Sequence, residues 1–72
     1  MNTQNEVAAW IVAQLPGSRI VKRPKQVSAP GAQPARWEGR IADSEGRLHT
    51  VAVTAGDPPS LEATPYEGYS AG

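Results

Sequence analysis

Residues 36–54, with the sequence RWEGRIADSEGRLHTVAVT, decide the fold of this chain. In the first part of this stretch, apolar or small residues alternate with charged ones, which is the two-residue period of a strand with one buried face. The following Asp-Ser-Glu-Gly at 43–46 is typical of a turn, because glycine adopts a positive φ without strain. Alternation then resumes. We therefore predict a β-hairpin in which 36–42 pairs with 47–54.

The buried face of the second predicted strand stays open at this point. Val51 and Val53 favour one face, whereas Leu48 and Ala52 favour the other. The expected core takes its side chains from every predicted element of the chain. Its members are Val7, Trp10, Ile11, Leu15, Ile20, Val27, Trp37, Ile41, Val51 and Val53.

A helix is predicted before the hairpin, over residues 4–15. Thr3 and Glu6 have the spacing of a capping box, in which each side chain satisfies a backbone amide of the other residue. Pro16 ends the helix because proline cannot continue the hydrogen-bond ladder. The apolar residues of the helix recur at four-residue intervals: Val7, Ile11 and Leu15. Such a short amphipathic helix is not stable alone, so its apolar face must dock on the sheet.

The segment between helix and hairpin favours one more strand. Residues 18–27 contain β-branched positions and read as a strand. Pro24 donates no backbone hydrogen bond, so this strand is expected either to lie at an edge of the sheet or to be split at Pro24. Residues 28–35, SAPGAQPA, are predicted to be a loop because they contain two prolines, a glycine and no periodicity.

The predicted fold is therefore α+β, with one N-terminal amphipathic helix packed on a three-stranded antiparallel β-meander. Residues 1–54 form this single small domain. Residues 55–72 are rich in proline and glycine and carry three acids. We expect them to form a flexible acidic tail that is disordered, or extended and laid over the sheet.

Length and composition exclude several classes of protein. The chain has 72 residues, with 7 Lys and Arg, 7 Asp and Glu, and no cysteine. It can therefore form neither disulfides nor thiolate metal sites, and the lone His49 cannot anchor a zinc ion. No apolar run is long enough to span a membrane. We expect one small domain, no cofactor, no membrane association and a cytoplasmic location.

The charges divide between the two halves of the chain. Residues 1–40 hold six cations and two anions, a balance of +4, whereas residues 41–72 hold one cation and five anions, a balance of −4. This asymmetry indicates a charged partner, or docking of one half on the other. The acidic tail could cover the basic segment until a partner competes for it.

An enzyme is not expected. His49 is the only neutral-pH base, and it lies in a predicted strand rather than beside a serine in a cleft. The sequence contains neither a phosphate-binding loop nor a dinucleotide fingerprint. A meander of this length also offers little concavity for a substrate.

The best functional signal is the basic segment that begins at residue 19. Four of its cations fall within seven residues, and two more on the first hairpin strand could join them across the sheet. Trp37 and two tail tyrosines are candidate aromatic anchors, although Trp37 also suits the core. The candidate partner-binding residues are Arg19, Lys22, Arg23, Lys25, Arg36, Trp37, Arg40, Tyr66 and Tyr69.

These features favour a small non-enzymatic regulator or inhibitor that binds a larger protein or complex through an acidic surface of that partner. With its small size, apolar helix, charged edge strand and flexible tail, the chain resembles, in type only, small bacteriophage proteins that bind a host machine such as RNA polymerase or a defence complex. The host cytoplasm is then the expected location. A second hypothesis is a nucleic-acid-binding module that uses the basic strand and Trp37. A third is a structural or assembly subunit whose tail and edge strand pair with neighbours. The oligomeric state stays open.

Overall fold

A computed structural model describes residues 3–66 of the chain. One helix is followed by four strands, which form a single antiparallel sheet in the order β1-β2-β3-β4. The elements are α1 (Gln4–Gln14), β1 (Arg19–Gln26), β2 (Ala35–Ala42), β3 (Leu48–Ala55) and β4 (Ser60–Pro65). The predicted α+β class and the N-terminal helix are confirmed.

The prediction of three strands is wrong, because Ser60–Pro65 adds a fourth strand to the sheet. This strand pairs with β3 in an unbroken register from Thr54↔Ser60 to His49↔Pro65. The prolines around this segment favoured a tail on sequence grounds. A proline at a strand end costs little when the position would not donate to the neighbouring strand. The last predicted tail residues, 67–72, lie outside the described part of the chain.

The predicted start of the helix is confirmed in atomic detail. The Thr3 hydroxyl accepts from the Glu6 amide at 3.2 Å, and the Glu6 carboxylate accepts from the Thr3 amide at 3.1 Å. The helix ends at Gln14, one residue earlier than predicted, and Leu15 is its C-cap. Gly17 then takes a positive φ of 89° as the chain turns toward β1.

The predicted hairpin is formed by β2 and β3. Its turn closes with a hydrogen bond of 2.9 Å from the Asp43 amide to the Arg47 carbonyl, and Gly46 has a positive φ of 84°. In the register, Trp37 lies opposite Val53. The turn chemistry read from the sequence therefore fixes the pairing of both strands.

The core lies between α1 and one side of the sheet, which we call the inner face. Val51 and Val53 are fully buried there, which answers the question of which side of β3 is buried. The buried cluster consists of Val7, Ile11, Trp37, Ile41, Val51 and Val53. Trp10, Leu15, Ile20 and Leu61 are partly buried against it. The expectation for Val27 is wrong: this side chain is 53% exposed, because it follows the end of β1 beside the loop.

Strand β1 follows β2 irregularly and is an edge strand, as Pro24 indicated. Its register shifts between Ile20 and Lys22 and again between Lys22 and Lys25. Between these shifts the β1 backbone lies very close to β2. A Cβ on Gly39 would come within 3.0 Å of the Lys22 carbonyl oxygen. Glycine is therefore required at position 39 by this close approach of the two backbones.

Candidate functional site

We call the side of the sheet opposite α1 the outer face. The only helix among residues 3–66 packs on the inner face, so no described element covers the outer one. Alternation along β2, β3 and β4, together with the shifted register of β1, gives this face its members. They are Lys22, Lys25, Arg36, Glu38, Arg40, Thr50, Ala52, Thr54, Glu62 and Thr64. The face is polar, and it is basic on its β1–β2 side.

Four cations come together on this side, and we call them the basic cluster: Lys22, Lys25, Arg36 and Arg40. The register places Lys22 directly opposite Arg40, and Lys25 opposite Glu38. None of the four side chains forms an ion pair with a carboxylate of residues 3–66. In the register, a β1 cation therefore meets a β2 cation at Lys22 and Arg40, whereas no β1 cation is paired with Arg36.

Tyr66 lies on the β4 side of the outer face, opposite the basic β1–β2 side. Its amide donates to the Leu48 carbonyl at 3.0 Å, which continues the β3–β4 pairing by one residue. The Arg40 guanidinium lies over the Tyr66 ring, 3.8 Å from the ring centroid. Arg40 therefore reaches from β2 across β3 to this ring. The Arg40 Nε is buried and has no hydrogen-bond partner among residues 3–66, so stacking on the ring holds the guanidinium in place.

The remaining predicted binding residues are placed elsewhere. Arg23 lies on the helix side, where its Nη2 donates to Asn5 at 3.3 Å. Trp37 is only 7% exposed and sits in the core on the inner face, on the opposite side of the sheet from Arg36. Arg19 is exposed at the start of β1, opposite Ala42. Tyr69 lies outside the described residues.

His49 and Asp43 form a polar pair at the turn end of the hairpin. His49 Nε2 lies 2.9 Å from Asp43 Oδ2, while Asp43 Oδ1 accepts from the amides of Glu45 and Arg47 at 2.9 Å each. Asp43 and His49 line a pocket together with Ser18, whose hydroxyl donates to the Leu15 carbonyl at 2.6 Å. Asp43 therefore stabilises the turn and orients the His49 imidazole. The Ser18 hydroxyl instead satisfies a backbone carbonyl at the C-terminal end of α1.

No family model, curated protein or solved structure matches this chain. The assignment of a function therefore depends on the surface itself. None of the helices within residues 3–66 is long and apolar enough to cross a membrane. In the same part of the chain, no three metal-binding side chains are grouped so that they could hold an ion.

Sequence reasoning missed the contact between Arg40 and Tyr66. The two residues are far apart in sequence, and Tyr66 was placed in a tail rather than beside an edge strand. A weak signal was present in Leu61 and Ala63, which alternate with polar residues after two prolines. That alternation is too short to distinguish a strand from an extended tail.

The Asp43–His49 pair predicts a specific pH dependence of stability. The hydrogen bond from His49, with those from the Arg47 and Glu45 amides, holds the pKa of Asp43 below its ordinary value of 3.8. A lowered pKa stabilises the fold above the ordinary value, and this stabilisation is lost as the pH falls through the folded-state pKa. We expect Asp43→Asn to destabilise the protein at pH 7 and to approach the wild type near pH 2, as measured by urea unfolding.

A matched control for this prediction is Glu45→Gln. Glu45 lies in the same turn, and its 3.7 Å ion pair with Arg47 is largely exposed to solvent. Exposed pairs contribute little to stability, so this variant should follow the wild type at every pH. An equal loss of stability for Asp43→Asn at pH 7 and pH 2 would show that the carboxylate charge is not what stabilises the turn.

Proposed function

We propose that this protein is a small non-enzymatic regulator that binds a larger protein by docking the outer face on an acidic surface. The observation that carries the proposal is the basic cluster: four cations with no carboxylate partner among residues 3–66, on a sheet face that no described element covers. A cluster of one sign raises the rate at which an oppositely charged surface is encountered. Such docking regulates or inhibits the partner when the covered surface is one that the partner needs.

Three members of the basic cluster are free to meet a partner. The Arg40 guanidinium is turned away from Lys22 onto the Tyr66 ring, whereas the side chains of Lys22, Lys25 and Arg36 are exposed to solvent. A partner surface that carries negative charge would be attracted to these three side chains.

The remaining surface favours a protein partner over a nucleic acid. Trp37 is buried on the inner face, so it offers no ring to a base. One side of the Tyr66 ring is covered by the Arg40 guanidinium. Single-strand binders need stacking platforms within a basic groove, and the Tyr66 ring, the aromatic side chain on the described part of the outer face, is already stacked against Arg40.

The cellular location of the binding is part of the same proposal. We place the binding in the cytoplasm, and in the host cell if the chain is encoded by a phage. The tail beyond the described residues, with Tyr69, would then contribute contacts of its own. Neither a cofactor nor a catalytic residue is required for this activity, since its effect comes from occupying a surface.

A pull-down from a lysate of the source or its host tests the class of partner. The tagged chain is washed at low and at high salt, with and without nuclease. We expect a protein complex that survives nuclease and is released by salt, because the contact is electrostatic. Loss of all bound material on nuclease treatment would instead identify the basic cluster as a nucleic-acid site.

Charge reversal then tests the surface with the recovered partner. We expect Lys22→Glu with Arg36→Glu to lower the association rate constant by about tenfold or more and to flatten its salt dependence, while dissociation changes less. Both side chains are exposed, and Arg40 is left intact because it packs on Tyr66. Surface plasmon resonance at several salt concentrations measures both rate constants.

The matched control carries the same change in net charge elsewhere. Arg23→Glu with Arg47→Glu alters two cations that lie on the helix side and in the hairpin turn. This control should bind at nearly the wild-type rate. An equal slowing by both double variants would mean that overall charge, and not the basic cluster, directs the encounter.

A further inference from the structure

The outer edge of β4 has backbone groups that no described strand uses. The Tyr66 amide donates to Leu48, and in an antiparallel pair the residues that face the neighbouring strand alternate. Residues 60, 62 and 64 therefore direct their N–H and C=O groups to β3. Leu61, Ala63 and Pro65 direct theirs to the free edge. Pro65 lacks an N–H at a position where none would be used by β3.

The two edges of the sheet differ in how well they are protected. β1 contains two register shifts and a buried proline, and it carries four cations, all of which hinder the addition of another strand. β4 pairs in an unbroken register, carries one charge, on Glu62, and has its proline, Pro65, only at its last residue. The β4 edge is therefore the side of the sheet that is open to an additional strand.

A pocket on the inner face lies beside this edge. It has a volume of about 380 Å³, which falls in the size range of ligand pockets, and it extends from the end of α1 to β4. Its apolar lining comes from Leu15, Pro16, Ile41 and Ala63. Ala63 is small and exposed, so the pocket is not filled by the edge strand itself.

The edge and the pocket together define a binding site. Residues directly opposite each other on neighbouring strands point to the same face of a sheet. A residue added opposite Ala63 would therefore direct its side chain toward the pocket, and its neighbours would face Glu62 and Thr64 on the outer side. We propose that the β4 edge binds an extended peptide segment of a partner protein as a fifth strand. That segment carries a large apolar side chain for the pocket, with an adjacent Lys or Arg for Glu62.

A second copy of this chain fits the edge less well than such a peptide. The antiparallel register that brings Leu61 of a copy opposite Ala63 also brings the two Glu62 side chains opposite each other, where like charges are destabilising. The register that brings the two Ala63 residues together leaves only an alanine beside the pocket. A foreign segment avoids both problems. This site is separate from the basic cluster and goes beyond the function proposed above.

Selection of a random decapeptide library displayed on phage, with the full chain as bait, tests the site. We expect enriched peptides with a large apolar residue next to Lys or Arg. Their synthetic forms should slow the hydrogen exchange of the Leu61 and Ala63 amides. Ala63→Pro removes one edge N–H and should weaken their binding by about tenfold. Ala63→Trp keeps that N–H but fills the pocket, and should weaken binding as well.

Two further results decide the proposal. Peptides that bind both Ala63 variants as well as the wild type, or no enrichment at all, would overturn it. A dimer in sedimentation that Ala63→Pro dissociates would also overturn it, because the edge would then be occupied by a second copy. The variant with Lys22→Glu and Arg36→Glu should bind these peptides normally, so failure of the function proposed above and failure of this site are distinguishable.

Discussion

Trp37→Ala should leave most of the protein unfolded at room temperature. Removing a buried tryptophan side chain costs about 3–5 kcal/mol. A domain of this size has a total stability of about 3–5 kcal/mol from its core. Trp37 is 7% exposed, packs in the central cluster and lies opposite Val53 on β3. No other described aromatic side chain is available to fill that space, because Trp10 already packs at the edge of the cluster.

Trp37→Phe is the matched variant for this prediction. The indole Nε1 of Trp37 is buried and has no hydrogen-bond partner among the described residues. A buried N–H without an acceptor costs about 1–3 kcal/mol, so its removal offsets part of the packing lost with the smaller ring. We expect Trp37→Phe to stay folded, with urea unfolding followed by circular dichroism as the measurement.

This pair of variants also separates two roles for Trp37. A tryptophan that acted as a surface anchor would be replaced by alanine without loss of the fold, and only partner binding would suffer. A folded Trp37→Ala variant with native stability would therefore contradict its placement in the core. The unfolded outcome would in turn exclude Trp37 from any account of a stacking surface.

The helix and the hairpin could be predicted because local chemistry determines them. The Thr3–Glu6 capping box and the turn at 43–46 act over a few residues, and each leaves a recognisable pattern. β4 could not be predicted in the same way. Its pairing depends on the β3 edge rather than on its own six residues, and short strands owe their stability to the strand beside them.

The candidate site shows the same division. The cations of β1 and β2 were predicted to meet, because two strands on either side of a loop are expected to pair. Which of them share a face depends on the register shifts in β1, and one of these shifts lies where the β1 backbone passes close to Gly39. Those shifts place Arg23 on the helix side and leave Lys22 and Lys25 on the outer face. No periodicity in the sequence encodes them.

The second large effect is expected for Glu62→Pro in β4, with proline at the adjacent position 63 as the comparison. Glu62 directs its N–H toward Ala52 on β3, whereas Ala63 directs its N–H toward the free edge. Glu62→Pro removes a bond of the ladder and leaves the Ala52 carbonyl without its donor. We expect it to lower the free energy of unfolding by about 2–4 kcal/mol. Glu62→Gln, which changes only the charge, should have little effect.

Ala63→Pro provides the sharper comparison, because the two prolines impose the same restriction on φ in the same strand. Only the direction of the lost N–H differs between them. We expect Ala63→Pro to cost less than about 1 kcal/mol, since proline is tolerated on an edge strand where the N–H faces solvent. Urea unfolding of the three variants measures the difference. Equal losses for the two prolines would mean that the Ala63 N–H is not free, and the β4 edge would then have no donor to offer a fifth strand.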